Sequence, residues 1–273
     1  MKPINNADFG KTADDYLTHQ AGFLKSLFEK LQSQGIGIRN QGITDLGAGT
    51  GSLSLGFAAN GSQVTGIDPP ASMLDAARKV AVHANLAVQF QLASAEQTQL
   101  LAKSMDIVAA GQCWHWFNRP AACKEIARIL KPSGKIVVAY YDWLPLRENL
   151  VRQTEQLIEK FNPQWKGGNQ LGIHPQIFGD LGEAGFNNIE SLTYDEPAQY
   201  THEGWRGRIR ASAGVGATMD QATLSAFDAE LKQRLEEISP DDKLLIPHRV
   251  FILIASPPLL IELDLGICYD SHF

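Results

Sequence analysis

Through the first half of the chain, short apolar runs alternate with segments in which apolar residues recur with the spacing of a helix. Largely apolar runs predict five strands, at residues 43–46, 64–67, 86–92, 105–110 and 135–141. Apolar residues with helical spacing predict helices between these strands, at residues 52–59, 72–84 and 120–130. A further stripe at residues 12–31 predicts a helix ahead of the first strand. Alternating strands and helices indicate a parallel, doubly wound α/β sheet that binds ligands at the carboxyl ends of its strands.

The pattern becomes less regular after residue 142. It predicts four helices, at residues 147–161, 177–184, 201–213 and 220–237. It also predicts two strands, at residues 188–194 and 248–256. A hairpin between these two strands would complete a seven-stranded, mostly parallel sheet with one antiparallel strand. We interpret residues 1–256 as one domain with a core at about 40–142, helical cap insertions at about 143–186 and 196–247, and a tail at 257–273.

A glycine-rich turn follows the first predicted strand. Gly47, Gly49 and Gly51 allow backbone N–H groups to approach a ligand closely, and Asp68 ends the second strand. A carboxylate at that position can accept hydrogen bonds from both ribose hydroxyls. Ser52 directly follows the third glycine, so the GxGxxG spacing of a dinucleotide site is absent. A dinucleotide-dependent oxidoreductase is therefore the less favoured interpretation.

Five segments together carry a family resemblance: DLGAGTG at 45–51, GID at 66–68, MLDAAR at 73–78, AE at 95–96 and GQCWHWF at 111–117. The chain resembles the class I S-adenosylmethionine-dependent methyltransferases, and within them the type 11 group that includes trans-aconitate methyltransferase-like small-molecule enzymes. The resemblance covers roughly residues 40–142. It implies a Rossmann-like fold, S-adenosyl-L-methionine as cofactor and a small-molecule methyl acceptor. A non-catalytic S-adenosylmethionine-binding protein is the alternative.

The resemblance also implies a set of cofactor-binding residues, namely Asp45, Gly47, Ala48, Gly49, Gly51, Asp68, Met73, Ala95, Glu96 and Gln112. In related enzymes the N-terminal helix covers the cofactor, which makes Tyr16 a candidate lining residue, although packing alone would also explain that stripe. Methyl transfer needs close positioning of cofactor and acceptor, and it needs a base only where the acceptor loses a proton.

Aromatic residues and a histidine follow the fourth predicted strand. If this segment is extended, Trp114 and Trp116 share one face, from which either ring could contact the sulfonium. His115 is a candidate catalytic base because imidazole titrates near neutral pH. The alternatives are a structural histidine or a contact with the acceptor. His174 is isolated in the sequence, and we expect a surface or structural role for it.

Three arginines stand close together in one predicted cap helix. Arg206 and Arg210 would share a helix face, with Arg208 pointing elsewhere, and Trp205 precedes them. Guanidinium groups bind anions through paired hydrogen bonds, so we expect Trp205 and Arg206 to contact an anionic or carboxylate acceptor. A salt-bridged cap helix is the alternative.

The charge, the cysteine content and the apolar runs of the chain argue against several classes of protein. The chain has 273 residues and a net charge of −6, which argues against nucleic-acid binding. Its three cysteines, Cys113, Cys123 and Cys268, form no CxxC pair, and no cluster has metal-ligand spacing, so we expect no metal. No apolar run approaches membrane-spanning length and the N-terminus lacks a signal-peptide core, which predicts a cytoplasmic protein without membrane contact. No sequence feature specifies an oligomeric state.

Overall fold

Nine strands and eight helices form the part of the chain that the computed structural model describes, residues 22–212 and 214–259. The strands are β1 Gly42–Leu46, β2 Gln63–Asp68, β3 Val88–Leu92, β4 Met105–Gly111, β5 Leu130–Trp143, β6 Asn187–Asp195, β7 Ala198–Tyr200, β8 Leu244–Ile246 and β9 His248–Ser256. The helices are α1 Lys25–Ser33, α2 Ser52–Ala59, α3 Ala71–His83, α4 Arg119–Ile129, α5 Leu150–Phe161, α6 Pro175–Glu183, α7 His202–Arg210 and α8 Gln221–Ile238.

Seven strands form one sheet in the order β3-β2-β1-β4-β5-β9-β6. Strands β1 to β5 pair in parallel, and β9 runs antiparallel to both of its neighbours, β5 and β6. The prediction of a doubly wound sheet with one antiparallel strand is therefore confirmed. The chain leaves β1 towards β2 and β3, and later returns to β4 on the other side of β1. This reversal opens a crevice at the carboxyl ends of β1 and β4, where doubly wound sheets bind ligands.

Two details of the predicted strands differ in the structure. Strand β5 begins at Leu130, ahead of the predicted start at residue 135, but residues 131–134 do not pair with β4, because the register passes from Met105–Leu130 to Ile107–Lys135. Lys131 forms an ion pair with Asp106 of β4 at 2.7 Å. Gly134 permits close approach to the same strand, since a Cβ atom there would lie 2.9 Å from the Asp106 carbonyl oxygen. Strands β6 and β9 pair as predicted, but β7, α7, α8 and β8 lie between them in the chain, so they form no hairpin.

Alternating side chains of the central strands enter two apolar layers, one on each face of the sheet. Val108 and Val138 belong to the layer that α4 and α6 cover, whereas Ile107 and Val137 belong to the layer under α1 and α2. Helix α6 lies within the predicted first cap insertion, yet Ile177 and Leu181 pack it against the sheet. The burial of both faces explains why β4 and β5 are continuous apolar runs in the sequence.

A third apolar cluster joins α5, α7 and α8 with the β7–β8 ribbon, and we call these elements the cap. Its buried side chains include Val151, Trp205, Phe227 and Leu244. Each cap helix begins at a polar residue whose side chain accepts a backbone N–H in the first turn: Asn149 for α5, Thr201 for α7 and Asp220 for α8. The cap therefore has local helix signals and a core of its own.

Among the described residues, none of the helices combines the length and the apolar character that crossing a bilayer demands.

Candidate active site

The turn after β1 adopts a backbone conformation that favours glycine. Gly47, Gly49 and Gly51 have φ angles of 65°, 55° and 89°, in the left-handed region. At Gly47 an added Cβ would also lie 2.8 Å from the Sγ atom of Cys113, closer than the two atoms can pack. The turn thus brings backbone N–H groups to the carboxyl edge of the sheet and directs the chain into α2.

Two buried aspartates flank this turn. Asp45 accepts hydrogen bonds from the backbone N–H and the hydroxyl of Ser54, at 3.0 and 2.7 Å, and so fixes the start of α2. Burial raises the pKa of Asp45 to about 7 against these hydrogen bonds. Asp68 is 8% exposed and accepts the Gly49 N–H at 2.8 Å. Burial raises the pKa of Asp68 to about 6, and no cation pairs with it among the described residues.

The turn, Phe23, Leu53, Gly111 and Gln112 line a narrow cleft above β1 and β4. Gly111 is needed there because a Cβ would lie 2.6 Å from Leu53 and 2.7 Å from Phe23. The glycine turn and the Asp68 carboxylate suit the adenosyl cofactor that the sequence resemblance implies. Asp68 is a buried acceptor that makes a single hydrogen bond with the described residues, and ribose hydroxyls would supply further donors to it.

The other residues of the predicted cofactor site have different surroundings. Met73 is buried in the first turn of α3, and Ala95 packs in the core beneath α4. Glu96 accepts the backbone N–H of Asn118 at 2.8 Å, which holds the two loops together. Gln112 donates from Nε2 to the Tyr141 carbonyl at 2.6 Å, between β4 and β5. Tyr16 lies outside the described residues.

A second cavity of about 270 Å³ adjoins this cleft, and Gln112 lines both. Its sheet side contains side chains from the carboxyl ends of β4 and β5, namely His115, Tyr140 and Asp142. Its cap side contains Trp165, Arg208 and Ser212. The cavity therefore lies where an acceptor would stand next to a cofactor bound in the cleft, and we call it the acceptor cavity.

The two tryptophans beside His115 do not share a face. Residues Trp114–Trp116 form one 3₁₀ turn, so the predicted extended geometry is wrong. Trp114 is buried in the core, where its Nε1 donates to Asp180 at 2.9 Å, and it does not line the acceptor cavity. Trp116 is 37% exposed and does line it. Of the two predicted aromatic contacts, the structure brings only Trp116 to the site.

The arginines of α7 divide between two faces, as the helical period predicts. Arg206 and Arg210 both bind Asp228 of α8, and both also pair with Glu203. Arg208 lies on the other face, 4.9 Å above the ring of Trp143, and lines the acceptor cavity. The structure therefore does not bring Arg206 to the acceptor cavity, because Glu203 and Asp228 already occupy it, and Arg208 lines the cavity instead.

Trp205 was also predicted at the acceptor site, and the structure places it elsewhere. Its side chain is fully buried in the cap core, and its Nε1 donates to the Thr154 hydroxyl at 3.2 Å. The rings of Trp143 and Tyr200 pack edge-on against it. Trp205 thus supports the wall that carries Arg208 instead of facing a ligand.

A chain of contacts runs from the sheet side of the acceptor cavity to His174 behind it, and most of this chain was not predicted from the sequence. The Nδ1 atom of His115 lies 3.3 Å from the Tyr140 hydroxyl, and the Tyr140 ring stacks on His174 at 3.8 Å. His174 Nε2 in turn lies 2.8 Å from an Asp142 carboxylate oxygen. His174 and Asp142 are 32 residues apart, but Asp142 directly follows the predicted parallel strand at residues 135–141, which is the position where site residues are expected.

The raised pKa of Asp68 predicts that cofactor binding depends on pH. Hydrogen bonds from a ribose favour the ionised carboxylate, so the complex holds fewer protons than the free protein below a pH of about 6. The affinity for S-adenosylhomocysteine should therefore rise from pH 5 to about pH 6.5 and then level off. Calorimetry in two buffers of different ionisation enthalpy should detect proton release. In Asp68→Asn, the increase in affinity between pH 5 and 6.5 should disappear. If the affinity of this variant still rises with pH at the same slope, the pH dependence belongs to another group.

The raised pKa of Asp68 also affects the stability of the free protein, which depends on pH in the opposite direction to cofactor affinity. Between the unfolded pKa of 3.8 and the folded value of about 6, the folded chain binds more protons at Asp68 than the unfolded chain does. This carboxyl group therefore lowers the free energy of unfolding as pH rises through that window. Cofactor binding should reduce that loss by giving the ionised group partners.

Comparisons with known proteins identify the family of this chain. A family model described as a methyltransferase domain matches residues 44–138. An uncharacterized methyltransferase of Schizosaccharomyces pombe is 33% identical over 193 residues, which cover 69% of this chain and 72% of the relative. A malonyl-[acyl-carrier protein] O-methyltransferase of Brevibacillus brevis is 28% identical over 190 residues, 65% of each chain.

A solved structure extends the likeness in fold beyond the matched domain. Phosphoethanolamine N-methyltransferase 2 of Haemonchus contortus, in complex with phosphomonomethylethanolamine and S-adenosylhomocysteine, aligns with a TM-score of 0.57 and 21% identity. The alignment covers 94% of this chain and 61% of that one. It supports the same arrangement of sheet and helices.

Proposed function

The chain belongs to the S-adenosylmethionine-dependent methyltransferases, and on that premise we propose that it methylates a small anionic molecule bound in the acceptor cavity. S-Adenosylmethionine, when bound, supplies the methyl group. Asp68 and the glycine turn hold its adenosyl part, and the cap and sheet together orient the acceptor. Catalysis then rests on close positioning and exclusion of water.

The observation that carries the proposal is the position of Arg208 at the acceptor cavity, together with its lack of an ion pair among the described residues. Among the described residues no carboxylate forms an ion pair with it, although the protein has a net charge of −6 and both neighbouring arginines of α7 are paired. Its guanidinium rests on Trp143 and lines the cavity, which leaves N–H donors for a ligand. Guanidinium binds carboxylate or phosphate through two parallel hydrogen bonds.

Ser212 supports the same assignment. Its hydroxyl is buried, has no hydrogen-bond partner among the described residues, and belongs to a residue that lines the cavity four positions after Arg208. A buried hydroxyl without a partner is costly, so a ligand that accepts a hydrogen bond from it would be favoured. An anion satisfies Ser212 and Arg208 together.

The geometry at His115 favours a donor role over the base role that the sequence suggested. Burial lowers the pKa of His115 and raises that of Tyr140 well above its usual range, so both groups are neutral near pH 7. The Tyr140 hydroxyl lies 3.3 Å from His115 Nδ1, and we assign the hydroxyl as the donor of this hydrogen bond. Neutral His115 therefore carries its proton on Nε2, and we assign it as a hydrogen-bond donor to the acceptor.

The volume of the acceptor cavity and the name of a similar protein both support a small acidic molecule as the acceptor. A cavity of about 270 Å³ lies just below the range for small-molecule sites, roughly 300–1,000 Å³. The relative from Brevibacillus brevis is named a malonyl-[acyl-carrier protein] O-methyltransferase, and the malonyl part of this name supports an acidic group on the acceptor here. A carboxylate acceptor requires no base, in agreement with the donor role of His115. Trp116, at the same cavity, is the aromatic candidate for contact with the sulfonium.

Arg208→Gln tests the proposal. It should lower kcat/KM for acids that the enzyme methylates by about tenfold, or about 1.4 kcal/mol, since a charged hydrogen bond is lost at a partly exposed site. S-Adenosylhomocysteine affinity should stay the same, and Arg208→Lys should recover part of the loss. Transfer of labelled methyl groups to a panel of small carboxylic acids is the measurement.

Arg206→Gln is the matched control, two positions away on the same helix. It should lower the melting temperature, because Asp228 and Glu203 lose a partner, and leave kcat/KM of the folded enzyme unchanged. Equal catalytic losses in both variants, or none in Arg208→Gln, would remove Arg208 from the acceptor site.

A further inference from the structure

The acceptor cavity contains a carboxylate as well as a guanidinium. Asp142, near the carboxyl end of β5, lines it, and its side chain is 25% exposed. One oxygen, Oδ2, lies 2.8 Å from His174 Nε2, and a carboxylate only accepts, so the imidazole donates here. The other oxygen, Oδ1, forms no hydrogen bond with any described residue. Asp142 thus retains a free acceptor atom at the cavity.

His174 holds Asp142 in a fixed orientation. Its ring stacks on Tyr140 at 3.8 Å and meets the edge of Phe251 at 5.2 Å, and it stands directly before Pro175, the first residue of α6. A side chain packed on two rings has little freedom, so the hydrogen bond to Oδ2 also fixes the position of Oδ1. A contact that only tied α6 to β5 would need one carboxylate oxygen and no exposure to the cavity.

The two opposite charges of the cavity do not neutralise each other. No ion pair joins Asp142 and Arg208 within the described part of the chain, although both line the same space. The Tyr141 carbonyl, one residue before Asp142, accepts the Gln112 side chain, and Gln112 also lines the cofactor cleft. Asp142 therefore lies on the cofactor side, and Arg208 lies on the cap side.

We propose that the acceptor carries a hydroxyl or ammonium group that donates to Asp142, in addition to the anionic group that binds Arg208. The substrate class is then a small hydroxy acid or amino acid, with His174 as a positioning residue. This inference rests on the proposed function, whose anion site it extends. Tyr140, Trp116 and Trp143 line the same cavity, and aromatic faces favour an ammonium group in particular.

The physical basis of this inference is that the cavity selects against a plain acid, by which we mean a carboxylic acid without a hydroxyl or amino group. An acid without a donor would displace water from Asp142 and leave Oδ1 unpaired beside a ligand, and this penalty is absent when a hydroxyl or ammonium binds. Sites built to hydrogen-bond a polar group reject analogues that lack it far more strongly than apolar pockets reject a missing methylene. We therefore expect at least a tenfold preference within matched pairs of acids.

The test uses matched sets of acids with the protein saturated by S-adenosylhomocysteine. One set is propionate, lactate and alanine; the other is succinate, malate and aspartate. Dissociation constants by calorimetry should be at least tenfold lower for the hydroxy or amino member that fits than for the plain acid. In Asp142→Asn the amide oxygen accepts from His174 and the NH₂ group faces the ligand, so the ratio should fall to within about twofold.

Two further variants separate the possible outcomes. His174→Phe keeps the ring stack and removes the N–H donor, so it should reduce the same ratio with little change for the plain acids. If the amino acid binds, Asp142→Asn should weaken it more than the hydroxy acid, since an ion pair is also lost. Arg208→Gln should weaken every member of a set by a similar factor and leave the ratio unchanged.

The outcomes distinguish this inference from the proposed function. An unchanged ratio in Asp142→Asn, with uniform weakening in Arg208→Gln, would overturn the role of Asp142 and keep the anion site. Loss of the ratio in Asp142→Asn, with no effect of Arg208→Gln, would keep Asp142 and overturn the anion site. Absence of binding by every acid at 20 mM, about twenty times a weak 1 mM dissociation constant, would overturn both.

Discussion

Replacement of Asp68 by alanine is expected to weaken S-adenosylhomocysteine binding by about 10- to 150-fold, which corresponds to roughly 1.5–3 kcal/mol. The carboxylate ends β2, is almost fully buried, and has the Gly49 N–H as its one hydrogen-bond partner within residues 22–212 and 214–259. The ribose hydroxyls would therefore lose a preformed charged acceptor. Titration calorimetry at pH 7.5, above the raised pKa of Asp68, measures the effect with the carboxylate ionised.

Asp75→Ala is the matched control for Asp68. It removes the same charged group from the next helix, but the Asp75 side chain is 65% exposed and, in the part of the chain that the structure describes, pairs with Arg78 alone at the surface. Its affinity for S-adenosylhomocysteine should stay within about twofold of the wild type. Similar affinities for the Asp68 and Asp75 variants would show that Asp68 does not bind the ribose.

Replacement of Trp205 by alanine is expected to lower the free energy of unfolding by about 3–5 kcal/mol. The indole is fully buried among cap side chains and also donates a hydrogen bond to the Thr154 hydroxyl, which would lose this donor and keep its own bond to the Leu150 carbonyl. Trp205→Phe keeps most of the apolar volume and should recover a large part of the loss. The midpoint of urea denaturation, with the slope checked for constancy, is the measurement.

Trp116 supplies the comparison for Trp205, since it is a tryptophan that faces the acceptor cavity and is 37% exposed. Trp116→Ala should lower stability by about 1 kcal/mol or less and should act mainly on turnover. A Trp205→Ala protein of normal stability with weak acceptor binding would return Trp205 to the site, as the sequence pattern first suggested.

The geometry of the glycine turn and the place of Asp68 were predictable because their signals are local. The turn and Asp68 lie within 22 residues, from Gly47 to Asp68, in one βαβ unit, and their positions follow from strand direction and backbone geometry. The order of apolar runs likewise determined the strands that form the sheet. The irregular start of β5 was not predictable, because the shift in register between β4 and β5 depends on contacts between the two strands.

The acceptor half depends on contacts that sequence spacing does not reveal. The helical period correctly placed Arg208 on a different face of α7 from Arg206 and Arg210. Which face forms ion pairs depends on the position of Asp228 on α8, which the spacing of residues does not reveal. His174 appeared isolated because Asp142 is 32 residues away in the chain. Trp114 and Trp116 were separated by a single 3₁₀ turn, which the extended interpretation did not include.

The acceptor cavity has walls from two bodies of structure that pack on different cores. His115, Tyr140 and Asp142 belong to the sheet that also carries the cofactor cleft, whereas Arg208 and Ser212 belong to the cap. We therefore expect substitutions on the cap wall to leave the residues around the cofactor cleft in place. For enzyme engineering, this makes positions 165, 208 and 212 the natural targets for a saturation library that alters the range of molecules methylated while every member retains the same methyl donor.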